Sequence, residues 1–140
     1  MTATGVDGQG RPSPGGRLPI RLTIPAQSRL LRLARMTAAT VAADVGFSLQ
    51  DIEDVRVAVD ELAALLIEGS QAGAILELCF GHEGGALAVE GEVRGGGAIA
   101  DLHPVARELL GLVADEYSVT VADHGGPSFR VVKRGAGSEA

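Results

Sequence analysis

Asp60 and Glu61 stand side by side halfway along the stretch Phe47–Gly69, and Leu65 follows Glu61 at four residues. If that stretch is helical, positions i and i+4 share one face, so Glu61 works beside a hydrocarbon. An acid on a helix flank is either solvated or part of a site, and residue types alone leave both readings open. Arg29, Arg32 and Arg35 recur at three-residue steps upstream. They form a basic stripe, which is either a solvated helix face or a docking surface for a partner's carboxylates. Cys79 is the single cysteine. It reads as a bystander, because a regulatory thiol needs a lowered pKa. His103 has no second His or Cys at ligand spacing, so it reads as a cap or surface residue and not as a metal ligand. Arg94-Gly95-Gly96-Gly97 offers three glycines without a Walker Lys, Ser or Thr and without G-x-G-x-x-G order, which makes it a plain loop.

The totals narrow the class. A chain of 140 residues, 46% hydrophobic, is one globular domain whose core must be aliphatic, since aromatics make up only 3%. One cysteine excludes an internal disulfide and a cysteine-based zinc site, and suits a reducing cytoplasm. No apolar run reaches the length of a membrane span, and the first residues lack the basic and apolar regions of a signal peptide. The expected location is cytoplasmic, with no membrane partner. The net charge of −6 is uneven: Arg11, Arg17, Arg21, Arg29, Arg32 and Arg35 are half of the 12 basic residues, and Asp7 is the only acid before Asp44. Overall acidity argues against nucleic acid and for a protein partner with its own charge pattern.

The elements that must position these residues follow from pattern. Residues 1–16 carry Gly5, Gly8, Gly10, Pro12, Pro14, Gly15 and Gly16 and read as a flexible tail. Leu18, Ile20, Leu22 and Ile24 alternate with polar residues, and Pro19 puts that strand at a sheet edge. A first helix over Ser28–Val45 turns Leu30, Leu33, Ala34, Thr37, Val41 and Val45 inward. In the second helix Ser48 is an N-cap, Asp51 can complete a capping box, and Phe47 and Ile52 have staple spacing. Ile52, Val55, Val59, Leu62 and Leu66 make its apolar stripe and Gly69 stops it, giving about twenty residues, roughly 30 Å. Leu76, Leu78 and Phe80 mark a strand with Cys79 and Glu77 on its other face. Glu83-Gly84-Gly85 turns the chain into a second strand through Leu87, Val89 and Val93. A third helix from Pro104 to Asp115 is expected to bury Val105, Leu109, Leu112 and Val113. Tyr117, Val119 and Val121 form a strand, Asp123-His124-Gly125-Gly126-Pro127 a turn, and Phe129, Val131 and Lys133 the last strand, with 135–140 a short tail. The order β-α-α-β-β-α-β-β predicts an α+β two-layer sandwich, three helices on one face of a mostly antiparallel five-stranded sheet.

With that order in place, Phe-Ser-Leu-Gln-Asp-Ile-Glu-Asp-Val-Arg-Val-Ala-Val-Asp-Glu-Leu from Phe47 resembles the second helix of the serine-kinase-type, RsbW-like anti-sigma factors. These belong to the GHKL (HATPase, or Bergerat ATPase-like) superfamily shared with histidine kinases and gyrase. Leu33-Ala34-Arg35 resembles the family's first helix, Leu109 to Val119 its last helix entering a strand, and Phe129–Lys133 its closing strand. The likeness covers most of residues 17–134.

The resemblance implies an ATP and magnesium site built from three boxes. The first has Glu as general base and Asn four residues later as magnesium ligand; Glu61 matches the Glu, and Leu65 stands in the Asn place with no oxygen for a hard cation. The second has an Asp after the third strand to receive the adenine amino group; here Val89-Glu90-Gly91-Glu92-Val93-Arg94 supplies no Asp at that place. The third is a glycine-rich turn opening the last helix; here Asp101–Glu108 has no glycine, and Pro104 lacks an N–H. The expected cofactor is therefore none, with Glu61 a catalytic remnant. The resemblance further implies a sigma factor and an anti-anti-sigma (STAS-type) protein as partners, both contacting Arg35, and a homodimer formed through the sheet. The leading expectation is an anti-sigma factor of stress or development type with a lost ATP site. The alternative is an active, divergent serine/threonine protein kinase that phosphorylates its antagonist.

Overall fold

The computed structural model describes residues 20–96, 101–121 and 126–135. The expected tail 1–16, Arg17 to Pro19 of the first strand, Gly97 of the glycine loop, Asp123–Gly125 of the last turn, and residues 136–140 of the final tail lie outside the described residues. The elements run β1 (Ile20–Pro25), a 3-10 turn (Ser28–Leu30), α1 (Leu31–Asp44), α2 (Leu49–Glu68), β2 (Ser70–Glu83), β3 (Ala86–Gly96), α3 (Pro104–Val113), β4 (Glu116–Val121) and β5 (Pro127–Arg134). The strands form one sheet in the order β1-β2-β3-β5-β4, and every pair is antiparallel. This is the expected α+β sandwich, and β1 is an edge strand as its alternation with Pro19 implied.

Sheet register explains the core. Leu76, Leu78 and Phe80 of β2 pair across to Val93, Gly91 and Val89 of β3, and Val89 pairs with Val131 of β5, so all share the helical face. Gly91 interrupts that apolar row for a steric reason: a Cβ there would collide with the Phe129 ring and with Leu78 Cδ2. Gly84 and Gly85, with φ of 61° and 81°, close the β2–β3 hairpin in a conformation that other residues resist. The opposite face of the sheet is polar. Arg21 and Arg94 both reach Glu77, at 3.4 and 2.7 Å, while Arg130 reaches Glu90 and Arg134 reaches Glu116.

α2 lies in the middle of the helical layer. Ser48 Oγ accepts from the Asp51 N–H at 3.1 Å, and Ser70 Oγ donates to the Ile67 carbonyl at 2.7 Å, so both helix ends are satisfied. Val55, Val59, Leu62 and Leu66 are buried, and Ile52 is half-buried. Lys133 of β5 rises to the first turn of α2, its Nζ 3.0 Å from Asp54 and 3.9 Å from Asp51. These two acids, near the positive end of the helix, meet a cation from the sheet.

α3 departs from expectation. It ends at Val113 and buries Ala106 and Leu110, while Val105 and Leu112 stand 76% exposed. The expected core residues Val105 and Leu112 are therefore outward. Small Ala106 faces inward instead, beside Leu110.

Candidate functional site

Two places hold the residues with chemical potential, and α2 touches both. The first is the outer face of α1. Arg32 is exposed there, Arg29 is exposed in the 3-10 turn just before it, and Met36 joins them at 61% exposure. Met36 was not singled out from sequence, although an exposed methionine beside two cations is a mark of an adaptable contact surface. Arg35 is not freely exposed as its place in a basic stripe suggested. It turns toward α2 and donates from Nη1 to Asp60 Oδ1 at 2.9 Å, with the two side chains 34% and 32% exposed. Ala38 and Ala42, both at 0%, press this side of α1 inward, so position 35 falls at the rim of the helix pair. Arg56, one turn before Asp60, is gripped by Glu53 through both Nε and Nη2. That hydrogen bond raises the Arg56 pKa above its ordinary value, with the charges of Glu53 and Asp60 adding to it.

The second place is a cleft of about 410 Å³ between α2, the start of α3 and β4. Leu65 lines it, with Leu102, Tyr117, Val119 and Val121 as further apolar wall and Asp101, Arg107 and Thr120 as polar groups. Its volume falls in the range of small-ligand sites, but the cleft is shallow and open to solvent. Glu61 is half-buried, does not line the cleft, and makes no hydrogen bond or ion pair among the described residues. Glu61 and Leu65 thus share a helix but not a pocket. His103 occupies the N-cap position of α3 without a side-chain cap bond. No group of three His, Cys, Asp or Glu among the described residues is arranged to hold a metal ion. No described helix is long and apolar enough to cross a membrane.

Cys79 lies on the polar face of the sheet, half-buried. Burial pushes its thiol above the ordinary range, opposed by nearby Arg21 and reinforced by Glu77, Glu90 and Glu92. A thiol held protonated in this way is a poor nucleophile.

No protein-family profile matches the chain. A segment of 49 residues is 33% identical to the serine-protein kinase RsbW of Halalkalibacterium halodurans and 35% identical to the serine-protein kinases RsbW of Bacillus thuringiensis and Bacillus cereus. That segment is 35% of this chain and spans 30–31% of the length of those relatives. The crystal structure of the RsbU and RsbW domains of Rv1364c from Mycobacterium tuberculosis superposes on 89% of this chain with a TM-score of 0.63 and 19% identity, using 33% of that longer chain. At that identity the superposition speaks for the fold, and the segment match adds a likeness in sequence. In sequence over that segment, and in fold over most of its length, the chain is similar to RsbW proteins.

Proposed function

We propose that this protein is an anti-sigma regulatory factor of the cytoplasm, sequestering an alternative, stress- or development-type sigma factor until an anti-anti-sigma (STAS-type) protein displaces it. The observation that carries the reading is the α1 face: Arg29, Arg32 and Met36 exposed, with Arg35 fixed at its rim by Asp60. A basic, part-apolar helix face on a chain of net charge −6 suits an acidic protein surface and ill suits nucleic acid. Likeness to RsbW in a third of the chain supports the same reading.

Magnesium-ATP does not fit the residues present. Leu65 brings hydrocarbon to the cleft, where a cation would need oxygen. β3 carries no Asp to receive adenine, and Pro104 in the first turn of α3 has no N–H for a phosphate. In this reading the protein is a pseudokinase, Glu61 is a remnant, and release comes by competition or by modification of a partner. Self-association through the sheet completes the proposal, its charged face offering Arg–Glu pairs that a second copy could re-pair.

The test is calorimetric titration against each purified alternative sigma factor of its own genome, at two salt concentrations. One of them should bind, more weakly in high salt. Arg35→Ala should cost about 2 kcal/mol, roughly thirtyfold, with Arg29→Ala and Arg32→Ala costing less. Absence of binding to every sigma factor overturns the proposal, as does phosphorylation of a partner serine with ATP for its pseudokinase part.

A further inference from the structure

The docking reading rests on Arg35, and Asp60 is what holds Arg35. The contact runs from Nη1 to Oδ1 at 2.9 Å and engages one of the five guanidinium donors. Among the described residues Arg35 makes no other hydrogen bond or ion pair, so its remaining donors are unengaged. Asp60 also lies in the field of the positive charge of Arg56, which Glu53 grips twice. A relay of alternating charge thus runs along α2, Glu53 to Arg56 to Asp60, and crosses to α1 at Arg35.

Resting on the docking reading, we infer that Asp60 is a positioning residue for partner recognition. It fixes the Arg35 fork before the partner arrives and leaves an open edge for one carboxylate of an acidic helix or loop. A long, flexible Arg side chain loses rotamer freedom when a partner captures it, and a prior ion pair has removed part of that freedom already. Asp60 also repels an incoming carboxylate. That carboxylate lies closer to the guanidinium it bonds than to Asp60 on the other edge, and Arg32 lies on the same helix face one turn back. At a common dielectric the attraction therefore exceeds the repulsion. The arrangement selects a partner that offers a single well-aimed carboxylate flanked by apolar surface for Met36, over one that is merely acidic.

The experiment compares Asp60→Ala, Asp60→Asn, Arg35→Ala and the Asp60→Ala/Arg35→Ala double variant. Each is titrated against the sigma factor that the unaltered protein binds, and the Arg35 Nε–H is followed by 15N relaxation. Asp60→Ala should weaken binding about tenfold, and Asp60→Asn, which keeps the Oδ1 acceptor, should recover most of that loss. In the Arg35→Ala background Asp60→Ala should change nothing further. Arg35 Nε–H should be ordered in the free protein and mobile in Asp60→Ala. Binding unchanged by Asp60→Ala, or an Arg35 Nε–H equally mobile in both, overturns the inference and leaves the docking reading standing. A protein that binds no sigma factor overturns the docking reading, and the positioning role falls with it.

Discussion

α2 and α3 both carry apolar residues at helical spacing, yet only one of them sits as its spacing suggests. In α2 the predicted stripe is the buried one, with Val59, Leu62 and Leu66 at 0% exposure. In α3 the predicted stripe is split: Leu109 and Val113 are half-buried, while Val105 and Leu112 point outward. The difference lies in what flanks the stripe. Glu53, Arg56, Asp60, Glu61 and Glu68 mark the outside of α2, and rotating them inward would strand charges away from water. Positions 105, 106, 109, 110, 112 and 113 of α3 are all apolar and take up about half of the helix circumference. Only Arg107 and Glu108 mark its outside within the helix. Charge fixes a helix's rotation more firmly than apolar count does.

The largest expected effect tests whether charge also anchors α2 from below. Lys133 is 16% exposed, and its partners Asp54 and Asp51 are 14% and 10% exposed. Lys133→Ala leaves the poorly solvated Asp54 carboxylate without its cation and should cost about 3–5 kcal/mol in chemical denaturation. A loss under about 1 kcal/mol would break the comparison, because the first turn of α2 would then hold its rotation without the pair.

Leu65→Asn comes next in size and probes the end of α2 that faces the cleft. Leu65 is 5% exposed, so placing an amide there should cost about 1–3 kcal/mol. It restores the oxygen that the GHKL resemblance expects at this position. ATP titrated with magnesium should still show no binding, in the variant as in the unaltered protein, because β3 still carries no Asp to receive adenine and Pro104 remains. A micromolar Kd for the unaltered protein would overturn the pseudokinase part of the proposal.

How much was legible in the sequence follows the same division. The element order, the edge position of β1, the inward faces of β2 and β3 and the seam of α2 all rest on local alternation or local charge. The Arg35–Asp60 and Lys133–Asp54 pairs join residues 25 and 79 apart, so no spacing rule could find them. The cleft gathers residues from 65, 101–107 and 117–121, which only the fold brings together. The reason for Gly91 in β3, the Phe129 ring, comes from β5.

The smallest effect, that of Leu112→Ala, is the sharpest test of α3 when set beside Leu110→Ala. Sequence pattern treats Leu109 and Leu112 as core and passes over Leu110. The structure exposes Leu112 at 76% and buries Leu110 fully. Leu110→Ala should therefore cost about 2–5 kcal/mol, as for other buried leucines cut back to alanine. Leu112→Ala should stay within about 0.5 kcal/mol, because little apolar surface returns to water and alanine is the better helix former. The pair is measured by denaturant titration of both variants with equal m-values, so that a shifted denatured state does not pass for a packing effect. If Leu112→Ala costs as much as Leu110→Ala, a surface outside the described residues, or a second copy, covers that stripe, and α3 obeys the spacing rule after all. Light scattering on the same samples separates these two, since only the second copy makes the cost depend on protein concentration.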